Sequence, residues 1–161
     1  MIEISPKPLT SDVFSPYGDV LQATGEPDKI INQGLCGRFH DCASLDFSDG
    51  LAGISIFNAT PRHLPLVVEM LERHPMGSQA FIPMTEHPFL VVVALDDGGK
   101  PVQVEAFLTV PGQAVNYHKG TWHGVLTPLH APGLFAVVDR IGSGANLDEY
   151  WLTEPVTVLL D

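Results

Sequence analysis

The sequence predicts an all-β domain, and three observations carry that reading. The 15 Gly and 14 Pro are spread along all 161 residues rather than pooled in a linker, which divides the chain into short segments. Several of those segments are β-branched or aromatic runs of strand length, as in 51–59 and 89–95. Asp96-Asp97-Gly98-Gly99 stands between two such runs and is a strong hairpin turn signal. A sandwich or barrel with one or two short helices accommodates all three.

In chain order, Thr10-Ser11-Asp12 offers caps for a helical turn through Phe14 and Ser15, which Pro16 and Gly18 stop. Residues 51–59 read as a strand. Residues 65–74 place Val67, Met70, Leu71 and His74 at helical spacing, yet their surroundings read as a barrel, and a strand is expected there. Residues 80–84, 89–95 and 102–110 follow as strands. Pro111-Gly112 then starts a strand with Val115 and Tyr117 on one face and Asn116 and His118 on the other. The run 134–138, a surface loop at 142–146 and a last strand at 156–160 complete the order.

Composition bounds the function. One domain spanning 1–161 is expected from the length. With 8 Lys+Arg against 19 Asp+Glu, a net charge of −11 argues against nucleic acid and against anionic membrane surfaces. The longest apolar run, 89–95, falls far short of the ~18 residues of a spanning helix. The opening residues have no apolar export segment, so a cytoplasmic protein with two reduced thiols, Cys36 and Cys42, is expected. A homodimer is also expected, through exposed barrel strands such as 89–95.

The chemistry concentrates in the seven histidines and four arginines. If the Asn116/His118 face lines a barrel interior, His123 reaches it after the turn at Gly120, and two imidazoles share one pocket. Such imidazoles act as acid and base or ligate a metal; each could equally be a hydrogen-bonded surface or core histidine. His74 and Gln79 return to one side of the cavity if a hairpin joins them, and Glu72 shares a face with His74 only in a strand. Arg140, ending a strand at the barrel mouth, and Arg38 are candidate carboxylate clamps, since guanidinium binds carboxylate bidentately. Pairing of Arg140 with a nearby carboxylate is the alternative. No nucleophile elbow, phosphate-binding loop, dinucleotide fingerprint or H-E-x-x-H motif is present.

Three segments, LERHPMGSQAFIPM at 71–84, VNYHKGTWH at 115–123 and VDRIG at 138–142, resemble the bacterial ureidoglycolate lyases. Asn32-Gln33-Gly34, Arg38-Phe39-His40-Asp41, Phe14 and Tyr17-Gly18-Asp19-Val20 follow the same pattern, so the resemblance runs from about residue 9 to 146. More distantly, the first two blocks are similar to the paired motifs of the cupin superfamily, with Gln79 where a glutamate is common and His74 alone for an H-x-H pair. The resemblance implies a cupin-like β-barrel that cleaves (S)-ureidoglycolate to glyoxylate and urea, with nickel or another divalent metal as a possible cofactor and no organic one. On that reading His118 and His123 share the proton transfers, and His74 and Gln79 orient the substrate. Arg140, Arg38, Asn116 and Glu72 bind it, and His74, His118 and His123 would hold the metal. A non-catalytic sensor of glyoxylate or a similar 2-oxo acid is the alternative function, and an ammonia-releasing amidohydrolase a further one.

Overall fold

Short β-branched runs cut by glycine and proline pair into sheets, because a run of five to nine residues buries its apolar face only against other strands. The computed structural model describes residues 1–160. Fifteen strands and one helical turn form among them: β1 (Ile2–Ile4), β2 (Lys7–Pro8), α1 (Ser11–Phe14), β3 (Gly18–Leu21), β4 (Lys29–Ile31) and β5 (Cys36–Arg38) come first. Then follow β6 (Leu51–Ala59), β7 (Leu66–Arg73), β8 (Gln79–Pro83), β9 (Phe89–Asp97) and β10 (Lys100–Leu108). The last are β11 (Ala114–Tyr117), β12 (Trp122–His123), β13 (Thr127–Pro128), β14 (Gly133–Ile141) and β15 (Asp148–Val158). The all-β, cupin-like class is the one expected from sequence.

Eight strands form one sheet in the order β1-β15-β7-β12-β9-β10-β2, with β13 also on β9. Its two edge strands are separated in the chain only by Ser5 and Pro6, so the sheet curls until its edges meet. Val68, Leu71, Leu90, Val92, Ala94, Trp122 and Val158, from strands around the curl, share one core. A five-stranded sheet, β3-β11-β8-β14-β6, packs on the other face of β9. There Phe89, Val91 and Val93 meet Phe81, Val115, Tyr117, Phe135 and Val137. Thr10 caps α1 by accepting from the Val13 amide, and Phe14 drops into this second core.

Residues 65–74 are extended, as the barrel context predicts, and the Asp96–Gly99 hairpin is present with Gly98 and Gly99 at positive φ. The strand expected to pair across a two-fold axis is buried instead: Phe89 to Ala94 lie between the two cores. The exposed apolar strand face lies elsewhere, on β6, β14 and β8, where Ile54, Ile56 and Ile82 point outward in register through Val138 and Ala136.

Candidate active site

The site lies between the two sheets at one end of the second core. β12 joins β7 and β9 through two residues only, and alternation sends Trp122 into the curl and His123 to the other side. The Trp122 ring carries the Arg73 guanidinium 4.5 Å above it and donates its indole N–H to Asp96, which fixes β12. His123 pairs in register with Glu72 on β7, and His74 follows where β7 ends. One ligand atom from each of Glu72, His74 and His123 lies within 4.8 Å of the others.

His123 stacks on Tyr117 of β11, with ring centroids 4.3 Å apart and planes 2° apart, and lies 5.2 Å from the His74 ring. Both imidazoles are held the same way. His74 Nδ1 is 2.8 Å from the Asn146 carbonyl and His123 Nδ1 is 2.9 Å from the Gly124 carbonyl. A carbonyl only accepts, so each Nδ1 carries a proton and Nε2 is the nitrogen each ring leaves free. Neither buried Nε2 has a partner. Burial pushes the His123 imidazole down to about 3, so it is neutral at physiological pH. Burial also holds the Glu72 carboxyl above the usual carboxylate range.

The five-stranded sheet supplies the opposing wall. Gln79 sits directly across from Tyr117; its Nε2 donates to Asp139 at 3.1 Å while its buried Oε1 lacks a partner. Alternation from Phe135 and Val137 turns Asp139 inward, and alternation from Val115 does the same for Tyr117. Sequence reasoning missed both as site residues; core alternation along their strands was the signal for them.

The structure brings together His74, His123, Glu72 and Gln79, and separates the rest. The expectation that Asn116 and His118 line the interior is corrected: the apolar Val115/Tyr117 face takes that place, because burying it removes far more apolar surface from water. Asn116 turns the other way and donates to Asp19 and to the Ser44 carbonyl, both at 3.0 Å. His118 pairs half-exposed with Asp19 at 3.2 Å, so it belongs neither with the interior imidazoles nor to their ligand set, where Glu72 stands instead. A Cβ on Gly18 would fall 1.9 Å from the Asn116 carbonyl oxygen, so glycine is what lets β3 close on β11 and carry Asp19 there.

Arg140 is not a free clamp. Its guanidinium, only 2% exposed, pairs with Asp49 and donates to the Ser143 carbonyl, tying the 46–50 segment to the loop after β14. Arg38 lies on the exposed β4–β5 ribbon. No helix of the described residues is long and apolar enough to cross a membrane.

Comparison with known proteins gives one consistent result. The family model described as ureidoglycolate lyase matches residues 1–159. A ureidoglycolate lyase of Rhodobacter capsulatus is 58% identical over 153 residues, covering 94% of this chain and 95% of that one. That of Chelativorans sp. strain BNC1 is 47% identical over 162 residues, covering 99% and 98%. Ureidoglycolate lyase 2 of Rhizobium meliloti is 46% identical over 160 residues, covering 98% of each.

Proposed function

We infer the reaction from a premise, that this chain belongs to the ureidoglycolate lyase family: it cleaves (S)-ureidoglycolate into glyoxylate and urea. The substrate's central carbon bears a hydroxyl, a carboxylate and a ureido nitrogen. The C–N bond breaks with its electron pair leaving on nitrogen, the hydroxyl oxygen becomes the aldehyde carbonyl, and one proton passes from oxygen to nitrogen. No water is consumed.

The observation that carries the reading is the pair of imidazoles, one buried and one half-buried, whose Nδ1–H groups are spent on backbone carbonyls and whose buried Nε2 atoms are unpartnered. One Nε2 takes the hydroxyl proton, and the imidazolium so formed returns it to the departing nitrogen. Each positioned transfer is worth about 10²–10⁴-fold. Gln79 Oε1 receives a substrate N–H or O–H, and Tyr117 holds the His123 ring in plane.

Glu72, His74 and His123 also fit a divalent ion such as Ni²⁺, as two neutral nitrogen donors braced through their Nδ1–H groups and one carboxylate. When bound, such an ion would supply a Lewis acid that polarises the substrate hydroxyl. A cytoplasmic homodimer belongs to the same reading.

A product assay on racemic ureidoglycolate tests the reaction. Release of urea and glyoxylate in equal amounts is expected; ammonia in place of urea would overturn the lyase reading, and binding without turnover would favour a sensor.

A further inference from the structure

Residues 23–41 form an arm in which no residue is buried. Its strands, β4 and β5, pair only with each other. The turn between them runs through Asn32, Gln33 and Gly34, all at positive φ, and presents Leu35 at 86% exposure, with Ile30 at 60%. A lone two-stranded ribbon is marginal in water, and its apolar tip gains nothing there. Lys29 stands directly opposite Arg38 across the ribbon, like charges that repel. With Asp28 and His40 they line a cleft of about 210 Å³.

Cations are scarce in this chain, 8 against 19 carboxylates. Lys7, Arg73, Lys119 and Arg140 are each committed to an acidic partner, whereas Lys29, Arg38, Arg62 and Lys100 make no ion pair among the described residues, and only Lys29 and Arg38 of these lie on the arm. The site has the opposite shortage. The side chains that define it, Glu72, Asp139, His74, His123, Gln79 and Tyr117, include two carboxylates and neither a lysine nor an arginine. Even a bound divalent ion would be matched by those two carboxylates, leaving the substrate's own carboxylate without a counter-charge. The cleft that Arg38 lines in its own chain holds Asp28, Lys29 and His40 and none of the site residues. The base of the arm is pinned where the Ser44 amide donates to Asp19 and the His40 amide to Asp28.

We propose that the arm docks on a second copy of this chain and that Arg38 there binds the substrate carboxylate, completing a site that one chain leaves without a cation. The proposal rests on the lyase reading for its substrate. Its partner follows from charge complementarity between an unpaired guanidinium and a site that carries the Glu72 and Asp139 carboxylates, in a chain of net charge −11.

Intersubunit complementation tests it. Arg38→Ala and His74→Ala chains, each assayed alone at subsaturating substrate, are expected to lose about 100-fold or more in kcat/KM. Co-expressed with different tags and purified as the mixed dimer, they have one intact site, formed by His74 of one chain and Arg38 of the other, and about half the wild-type activity returns. A mixed dimer no better than its parents overturns the proposal. Arg38→Lys is expected to restore only part of the loss, because lysine cannot bind a carboxylate bidentately. A second readout does not depend on turnover: Leu35→Asp with Ile30→Asp weakens self-association at least tenfold by sedimentation. Unchanged association overturns the docking, whereas failure of wild-type protein to release urea sinks only the lyase reading.

Discussion

His118 and His123 stand five residues apart in one Asn-Tyr-His…Trp-His block, and the fold gives them opposite surroundings. His118 is half-exposed, its Nε2 already facing Asp19, whose carboxylate also accepts from Asn116 and from the Ser44 amide. His123 is 1% exposed, flat against Tyr117, with one nitrogen spent on a carbonyl and the other unpartnered. A partly exposed polar contact of the first kind is worth about 0–1 kcal/mol. An unmet buried acceptor of the second kind costs about 1–3 kcal/mol, a cost that a bound substrate or ion relieves. The difference teaches that an unsatisfied buried nitrogen, rather than histidine density, marks the reactive end of the block. Arg140 and Arg38 repeat the contrast among cations, one buried and committed, the other exposed and unpaired.

The contrast can be broken most sharply at His123. Replacing it with Asn keeps a donor for the Gly124 carbonyl and removes Nε2, so kcat should fall about 10²–10⁴-fold with little change in thermal stability. Asp49→Ala tests the arginine contrast. It leaves a buried guanidinium with backbone carbonyls alone and should cost about 1–3 kcal/mol in urea denaturation, whereas Arg38→Ala should leave the unfolding midpoint in place. Binding of Ni²⁺ to metal-stripped protein, followed by calorimetry, should weaken at least tenfold in Glu72→Gln and stay unchanged in His118→Ala.

The smallest effect is expected at Asp19. Burial raises its pKa, but the bonds from Asn116, Ser44 and His118 outweigh it and leave the carboxyl below its ordinary 3.8. The unfolded chain therefore binds this proton first, so the stabilisation is full above about pH 3.8 and is lost as pH falls through the folded value. Asp19→Asn should flatten that acid limb by an amount typical of exposed pairs, read by thermal unfolding between pH 5 and 2, with kcat unaffected.

Much of the fold was legible because the strands carry their own signals. Residues 51–59 and the Asp96–Gly99 turn appear where the β-branched run and the glycines put them. β7 was harder, since its apolar spacing suits a helix. Opposite it, the register of β15 shifts between Trp151 and Val156, and there Val68 and Leu71, three residues apart, both enter one core. An irregular strand thus imitates helical periodicity. Within the site, Glu72 and His74 follow from the strand assignment, and Gln79 from its place at the start of β8. The inward face of β11 was misread, because alternation fixes which residues share a face without fixing which face is buried. Tyr117 pointing in with Val115 decides it. The partner of Arg140 was out of reach, since Asp49 lies 91 positions away in the chain and only the sheet order brings the two together.

The most direct test sets His74→Ala beside His118→Ala in steady-state urea release from ureidoglycolate. The His74/His123 pair predicts a kcat at least about 100-fold lower for the first variant and within about threefold of wild type for the second. A collapse in His118→Ala with His74→Ala nearly unimpaired would contradict it.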